Sequence, residues 1–310
     1  MTKFIVAATI LASLSACAPM PSSYGVSGSQ RGSQYTYHNY TVNVVDAKGQ
    51  PMPGVTVVVT LSGQNTEEKV LNCLTNEAGK CPDMLYQVNR DTTYAYVTSY
   101  SSTAKLVAEK EGFYKTTASG FSNAGGVVKD SSGSQIKIVL LKPTDYLSPT
   151  LDAGKANQEV KAGVLKFLEV IKLQSILVDT EVMLGGVGVS DFKGKSYLQL
   201  KLNSTNVYNS LKLNKYDIGK TLFDDSIRKI LTPLNDNLVL PKGFYGYDVI
   251  IYGQTKSFTD KYALPKKVEY RFLMPSQAVR KYKDKEISGQ ALLDASVQLM
   301  DDERIELKLQ

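Results

Sequence analysis

The chain has one histidine, three cysteines and a formal charge of +6 at neutral pH, and these numbers bound its chemistry. Any serine- or cysteine-nucleophile arrangement must recruit His38, because nucleophile and base have to sit within hydrogen-bond reach. His38 follows a Gly- and Ser-rich stretch, at the edge of a flexible segment where catalytic geometry is hard to hold. Metal sites built on several imidazoles are excluded by arithmetic. Asp224-Asp225 and Asp301-Asp302-Glu303 are paired acids of the kind used by glycosidases or metal sites. Both lie beside helix ends or polar faces without assembled partners, and read as solvated surface. Gly219-Lys220-Thr221 ends like a phosphate loop, but Asn214 stands five residues before Gly219, where such a loop needs glycine. Lys220 therefore reads as a solvated first-turn side chain. Gly185-Gly186-Val187-Gly188 lacks the third glycine of a dinucleotide fingerprint, Asp191 holding its place, and reads as a hairpin turn. No catalytic residue, metal ligand set or cofactor is expected, and the chain reads as non-enzymatic.

Cys73 and Cys81 flank Leu74 to Lys80, within which Asn76 to Gly79 has turn composition. Two strands leaving that turn would bring the sulfurs together, so a hairpin disulfide is the preferred reading and implies an oxidising compartment. Two unpaired thiols are the alternative, since a one-residue slip in register turns them to opposite faces. Zinc is disfavoured, the spacing being wrong and no second pair being present. Nineteen tyrosines and no tryptophan is an unusual balance. Tyr94, Tyr96 and Tyr100 lie close together, the first two on one strand face by parity. They form a candidate surface for sugar rings or a protein partner, the plainer reading being sheet tyrosines with hydrated hydroxyls. Charge is spread over both halves without a dense basic block, so nucleic acid is not an expected partner.

The elements that must position these groups fall into two parts. From Tyr40 to Val44 and again from Val55 to Leu61, apolar residues alternate with polar ones, the period of half-buried strands. Further strands are expected at Lys69–Leu74, Thr93–Thr98, Ala104–Glu109 and Gln135–Leu141, a spacing suited to a β-sandwich over 37–143. Residues 144–154 read as a linker. Beyond it, Val160, Val164, Leu168 and Ile171 repeat on one helical face. Strands are then expected at Ser175–Leu184, Ser196–Leu202, Tyr247–Tyr252, Val268–Met274 and Arg304–Leu309. Asp217 is placed to cap a helix that Pro233 should end or kink. Ser288 caps another, with Leu292, Leu293, Val297 and Met300 inward. The order β-α-β-β-α-β from Tyr197 onward predicts an α+β domain over 155–310.

Three resemblances add to this reading. Lys3, the apolar run from Phe4 to Leu14 and the closing Leu14-Ser15-Ala16-Cys17 resemble a bacterial lipoprotein signal with its lipobox. That resemblance implies a signal peptide over 1–16, a diacylglyceryl group on the Cys17 thiol and an acyl chain on its new amine. Ala18 in place of aspartate implies sorting to the outer membrane, and the Ser-, Gly- and Pro-rich stretch within 17–36 reads as a lipidated tether reaching about 20–25 Å. Asp46-x-x-Gly49-x-Pro51-x-x-Gly54-Val55-x-Val57, with Thr75 to Gly79 and Val107 to Phe113, resembles the carboxypeptidase-regulatory-like, or transthyretin-like, sandwich. Such Ig-like domains act as spacers and docking modules without a shared active site. Leu222-Phe223, the helix to Leu234 and Val249 to Thr255 loosely resemble the peptidoglycan-binding domain of outer-membrane protein A-like proteins. Lys256 stands where that family's gripping carboxylate belongs, and its following Asn-x-x-Leu-Ser-x-x-Arg-Ala helix has no counterpart. Together these imply a lipid-anchored outer-membrane protein that docks onto an envelope protein partner, the alternative being a glycan- or peptidoglycan-binding lipoprotein.

Overall fold

The computed structural model describes residues 35–63, 66–89, 99–125, 132–151, 157–173, 177, 179–260 and 262–309. The chain is mostly β. Its first part holds β1 (Tyr35–Val45), β2 (Thr56–Gly63), β3 (Thr66–Leu74), β4 (Met84–Asn89), β5 (Ser99–Glu109), β6 (Thr116–Gly125) and β7 (Ser132–Val139). One sheet has the order β4-β1-β7 and the other β3-β2-β5-β6. All pairs are antiparallel except β1 with β7. Tyr40, Val42 and Val44 of β1 point into the same buried cluster as Val57, Val59 and Leu61 of β2, as their alternation predicts. Two sheets sharing one core is the arrangement of a β-sandwich.

The loop between β1 and β2 is closed by Asp46, whose carboxylate accepts from the amides of Lys48 and Gln50, both at 2.8 Å. The turn at Asn76 to Gly79 is also present: Asn76 Oδ1 accepts from Ala78 and Lys80, and Gly79 has φ 68°. Cys73 is bonded to Cys81. The bond is not the hairpin link that the spacing predicts. Cys73 is next to last in β3, in the four-stranded sheet, whereas Lys80 bridges to Asn43 and the Cys81 amide donates to Val42 O on β1. The turn thus carries the chain from one sheet to the other, and the disulfide ties the two together. Thr93–Thr98 lies outside the described residues, while β4 and β6 were not expected.

The second part holds α1 (Asn157–Leu173), β8 (Thr180–Phe192), β9 (Lys195–Asn209), α2 (Lys215–Leu222), α3 (Arg228–Asn237), β10 (Phe244–Lys256), β11 (Lys266–Pro275), α4 (Ser276–Lys283), α5 (Gly289–Asp294), β12 (Val297–Met300) and β13 (Glu303–Ile305). Six strands form one sheet, β13-β12-β11-β10-β9-β8, parallel only between β9 and β10. From β9 the order is β-α-α-β-β-α-α-β-β, so each expected single helix is a pair and the expected closing strand is two. Leu198, Leu200 and Leu202, with Val249, Ile251 and Phe272, meet residues of all five helices in a single buried cluster. Every helix among the described residues therefore covers the same face of the sheet.

Several local expectations change. Gly185 to Gly188 lie within β8 at a register shift, and the hairpin turn comes at Lys193-Gly194, both with positive φ. A two-residue turn with that hand matches strand twist. Glycine is needed at Gly188 for a different reason: a Cβ there would sit 2.4 Å from Thr150 Oγ1. The cap of α2 is Asn214, whose side chain accepts from Tyr216 and Asp217, and Asp217 completes the capping box. A π-helical turn, Phe223–Ile227, precedes α3, which continues through Pro233 to Asn237. Lys229, four residues before Pro233, is exposed, so water can satisfy the carbonyl that proline cannot. Ser288 caps α5 as expected, but Val297 and Met300 belong to β12. The final strand is only β13, and α4 was unforeseen.

The described part of the segment read as a linker, residues 144–151, is packed. Tyr146 and Leu151 are buried, Leu147 bridges to Val187 of β8, and the Ser148 amide donates to Val187 O at 2.6 Å. Tyr114, from the sandwich side, stacks edge-on to Tyr146 at 6.0 Å. Burial pushes the Tyr114 phenol up to about 12.

Candidate functional site: the open face of the six-stranded sheet

The face of the sheet away from the helices presents the other parity of each strand. Cross-strand pairing places Ser190, Tyr197, Gln199, Asp248, Arg271 and Leu299 there. At its centre the Asp248 carboxylate has no solvent exposure. Arg271 grips it with two bonds, Nε to Oδ1 and Nη2 to Oδ2, each 2.8 Å. Ser190 Oγ donates to Oδ2 at 2.6 Å and Gln199 Nε2 at 2.8 Å. Hydrogen bonding to Asp248 raises the Arg271 pKa above its ordinary value, outweighing burial. A carboxylate holding four donors is a poor general base and offers little to a metal. Its role is to hold the guanidinium at the floor of the face.

Around this floor, aromatic rings and cations are interleaved. Arg271 lies 5.6 Å from the Phe192 ring, and Lys193 lies at the same distance. Lys195 sits 3.6 Å over the Tyr245 ring, which meets Tyr197 edge-on at 5.6 Å. Tyr245 reaches this side because the register shifts between Phe244 and Gly246. Only glycine fits at Gly246, where a Cβ would lie 2.0 Å from Met274 O. The shelf is amphipathic and net cationic, and Tyr245 is 40% exposed on it. It can stack on a planar or sugar ring and pair with an anion.

His38 is placed otherwise than expected. It lies inside β1 with no solvent exposure, its Nδ1 2.5 Å from Ser102 Oγ, which is also 2.6 Å from Tyr40 Oη. Nε2 is buried without a hydrogen-bond partner. An unpaired acceptor lone pair costs less than an unpaired N–H, so the proton belongs on Nδ1. Burial lowers the His38 pKa. The trio is closed to substrate, with Ser102 2% exposed.

The remaining candidates are scattered. Cys17, Tyr94 and Tyr96 lie outside the described residues, and Tyr100 is in β5 opposite Ala124. Asp224 pairs with Arg228 at 2.8 Å, and Asp301 accepts from the Glu269 amide. Lys220 pairs with Asp217 at 3.4 Å within α2, and a Cβ on Gly219 would press on Tyr270. Two adjoining hollows of ≈ 870 and ≈ 360 Å³ open on the sandwich and share Lys110 and Phe113. Lys110 is bonded to Pro53 O and Glu109 to Lys115. Among the described residues, no three His, Cys or carboxylate side chains gather as a metal group, and no helix is long and apolar enough to cross a membrane. The shelf was missed in sequence; its signal was an aspartate and an arginine, each in the middle of an apolar strand.

No protein-family model and no curated protein matches the chain. Among solved structures it is similar to 3-chlorocatechol 1,2-dioxygenase from Rhodococcus opacus 1CP, at 13% identity and a TM-score of 0.27. The alignment covers 37% of this chain and 62% of the dioxygenase, less than two thirds of its length. Likeness at that level fixes neither fold nor function.

Proposed function

We propose that the chain is a lipid-anchored protein of the bacterial outer membrane, acylated at Cys17, whose folded part docks onto another envelope component and catalyses no reaction. In this reading 37–143 is a transthyretin-like spacer and 155–310 an α+β docking domain. The observation that carries docking is the exposed edge of this sheet face, beside the buried Tyr197, Leu273 and Leu299. Among the described residues the helices lie on the sheet's other side, while Tyr245, Lys195 and Lys193 stand exposed beside the Asp248–Arg271 floor. A face with fixed aromatics and a pre-paired guanidinium loses little side-chain freedom on binding, which favours a specific contact. The closure of His38 and Asp248 by internal partners supports a non-catalytic role. A photo-crosslinker placed at Tyr245 in intact cells should give one defined protein adduct, while one at Lys281 on α4 should not. Equal, diffuse adducts at both would remove the docking reading. Labelled palmitate should enter the chain and be lost in Cys17→Ser; an unlabelled product would remove the anchor.

The interleaved rings and cations favour one alternative, a glycan or peptidoglycan ligand on the same shelf. Sedimentation of the protein with purified sacculi, abolished in Tyr245→Ser with Lys195→Ser, would select it over a protein partner.

A further inference from the structure

The far end of the six-stranded sheet carries a second surface, separate from the shelf. Between β10 and β11 the chain makes a turn on which Phe258, Tyr262 and Leu264 are 57%, 92% and 83% exposed. The turn is internally closed: the Asp260 carboxylate accepts from the Tyr262 amide at 2.9 Å, and Asp260 O accepts from Ala263. A neighbouring turn after β9 is tied to it, with the Ser210 amide donating to Lys256 O at 3.0 Å. That turn holds Leu211 out, 63% exposed. Large apolar side chains on two adjacent turn tips are held in water with nothing in the fold to gain from it.

The charge around the tips is predominantly positive. Lys266 and Lys267 begin β11, Lys256 ends β10, and Lys212 follows Leu211. Among the described residues none of these four has an acidic partner; Lys267 instead lies 3.5 Å over the Tyr252 ring. The nearby acids are engaged, Asp260 in its turn and Asp217 with Lys220. Apolar tips ringed by lysines whose long stems can lie along an interface suit a layered partner, apolar inside and anionic at its surface. Two narrow turns do not make the flat area of a stable protein interface.

We infer that Leu211 on one turn and Phe258, Tyr262 and Leu264 on the other insert shallowly into an anionic lipid surface, with the four lysines on its headgroups. The inference does not depend on acylation of Cys17, because it concerns a second contact made by the folded part. Hydrogen exchange of the full chain tests it, with vesicles of phosphatidylcholine alone and with phosphatidylglycerol added. Amides of residues 257–260 and 262–264 should be protected by the anionic vesicles and exchange freely on the neutral ones. In the Lys266→Gln, Lys267→Gln variant, the anionic lipid needed for half protection should rise about fivefold per lysine. Phe258→Ser, Tyr262→Ser and Leu264→Ser together should abolish protection with unchanged thermal unfolding, since these side chains are already in water. A chain carried onto vesicles by its N-terminus while the turn still exchanges freely would overturn the inference and leave the anchor standing. Equal protection on both vesicle types, or protection only from an envelope protein fraction, would overturn it too.

Discussion

Arg271→Met tests whether the Asp248 pair organises the open face. Methionine keeps most of the side-chain stem and removes the guanidinium from a carboxylate with no exposure to water. Asp248 would keep Ser190 and Gln199 and lose both charge-assisted bonds. Breaking one side of a buried ion pair costs about 3–5 kcal/mol, because the remaining charge stays desolvated. For a folded unit of this size each kcal/mol lowers Tm by about 2–4 °C, so the variant should melt about 6–20 °C lower. Asp248→Asn should cost less, since the Arg271 side chain is 18% exposed and can hydrate. The double variant Arg271→Met, Asp248→Leu should recover most of the loss, because neither partner is left unpaired. Thermal unfolding followed by circular dichroism measures all three. A shift under about 2 °C for Arg271→Met, or losses in the double variant that simply add, would show that the pair is not the floor described above.

Three further outcomes follow from the sandwich. Burial lowers the His38 pKa, so the folded state favours neutral imidazole. Stability should be full above the unfolded value of about 6.5 and fall, by up to about 1.4 kcal/mol per unit, as pH drops from there toward the lowered pKa. Denaturant titrations across that window should show the slope in the native chain and lose it in His38→Gln. Removing the disulfide by Cys73→Ser with Cys81→Ser opens a loop of sequence separation 8, worth about 2.6 kcal/mol in loop-closure entropy. Urea midpoints should fall accordingly, and an unchanged midpoint would refute the estimate. Gly79→Ala places a Cβ 2.4 Å from Val44 O at φ 68°, whereas Gly49→Ala meets nothing within 4 Å at φ 78°. Both should destabilise, Gly79→Ala by clearly more than the roughly 1 kcal/mol of left-handed strain alone, as read from paired melting curves.

The strands were legible where one face is apolar and the other wet. β1, β2 and β9 show that alternation in residues such as Val42, Val59 and Leu200. β6 does not, because its inward residues Ala118, Gly120 and Ser122 are small: a Cβ on Gly120 would lie 2.5 Å from Ile136, so close approach of the sheets replaces side-chain bulk. Gly188 misled for a similar reason, marking contact with the 148–150 segment instead of a turn. The disulfide partners were readable from cysteine count and spacing. Their joining of two sheets was not, since pairing of Lys80 with Asn43 is a long-range choice. The shelf stayed hidden because Ile250, on the same parity as Asp248, makes β10 look apolar on both faces.

The place of β1 in its sheet bears on mechanics. It is the central strand, laddered to β4 over six residue pairs and to β7 over eight, and the chain enters it directly at Tyr35. A tug on the preceding segment runs along the strand axis, while the ladder bonds lie across it. Both ladders are then sheared as a whole instead of being unzipped bond by bond. A body held by its leading end would bear load through a strand stitched along both of its edges.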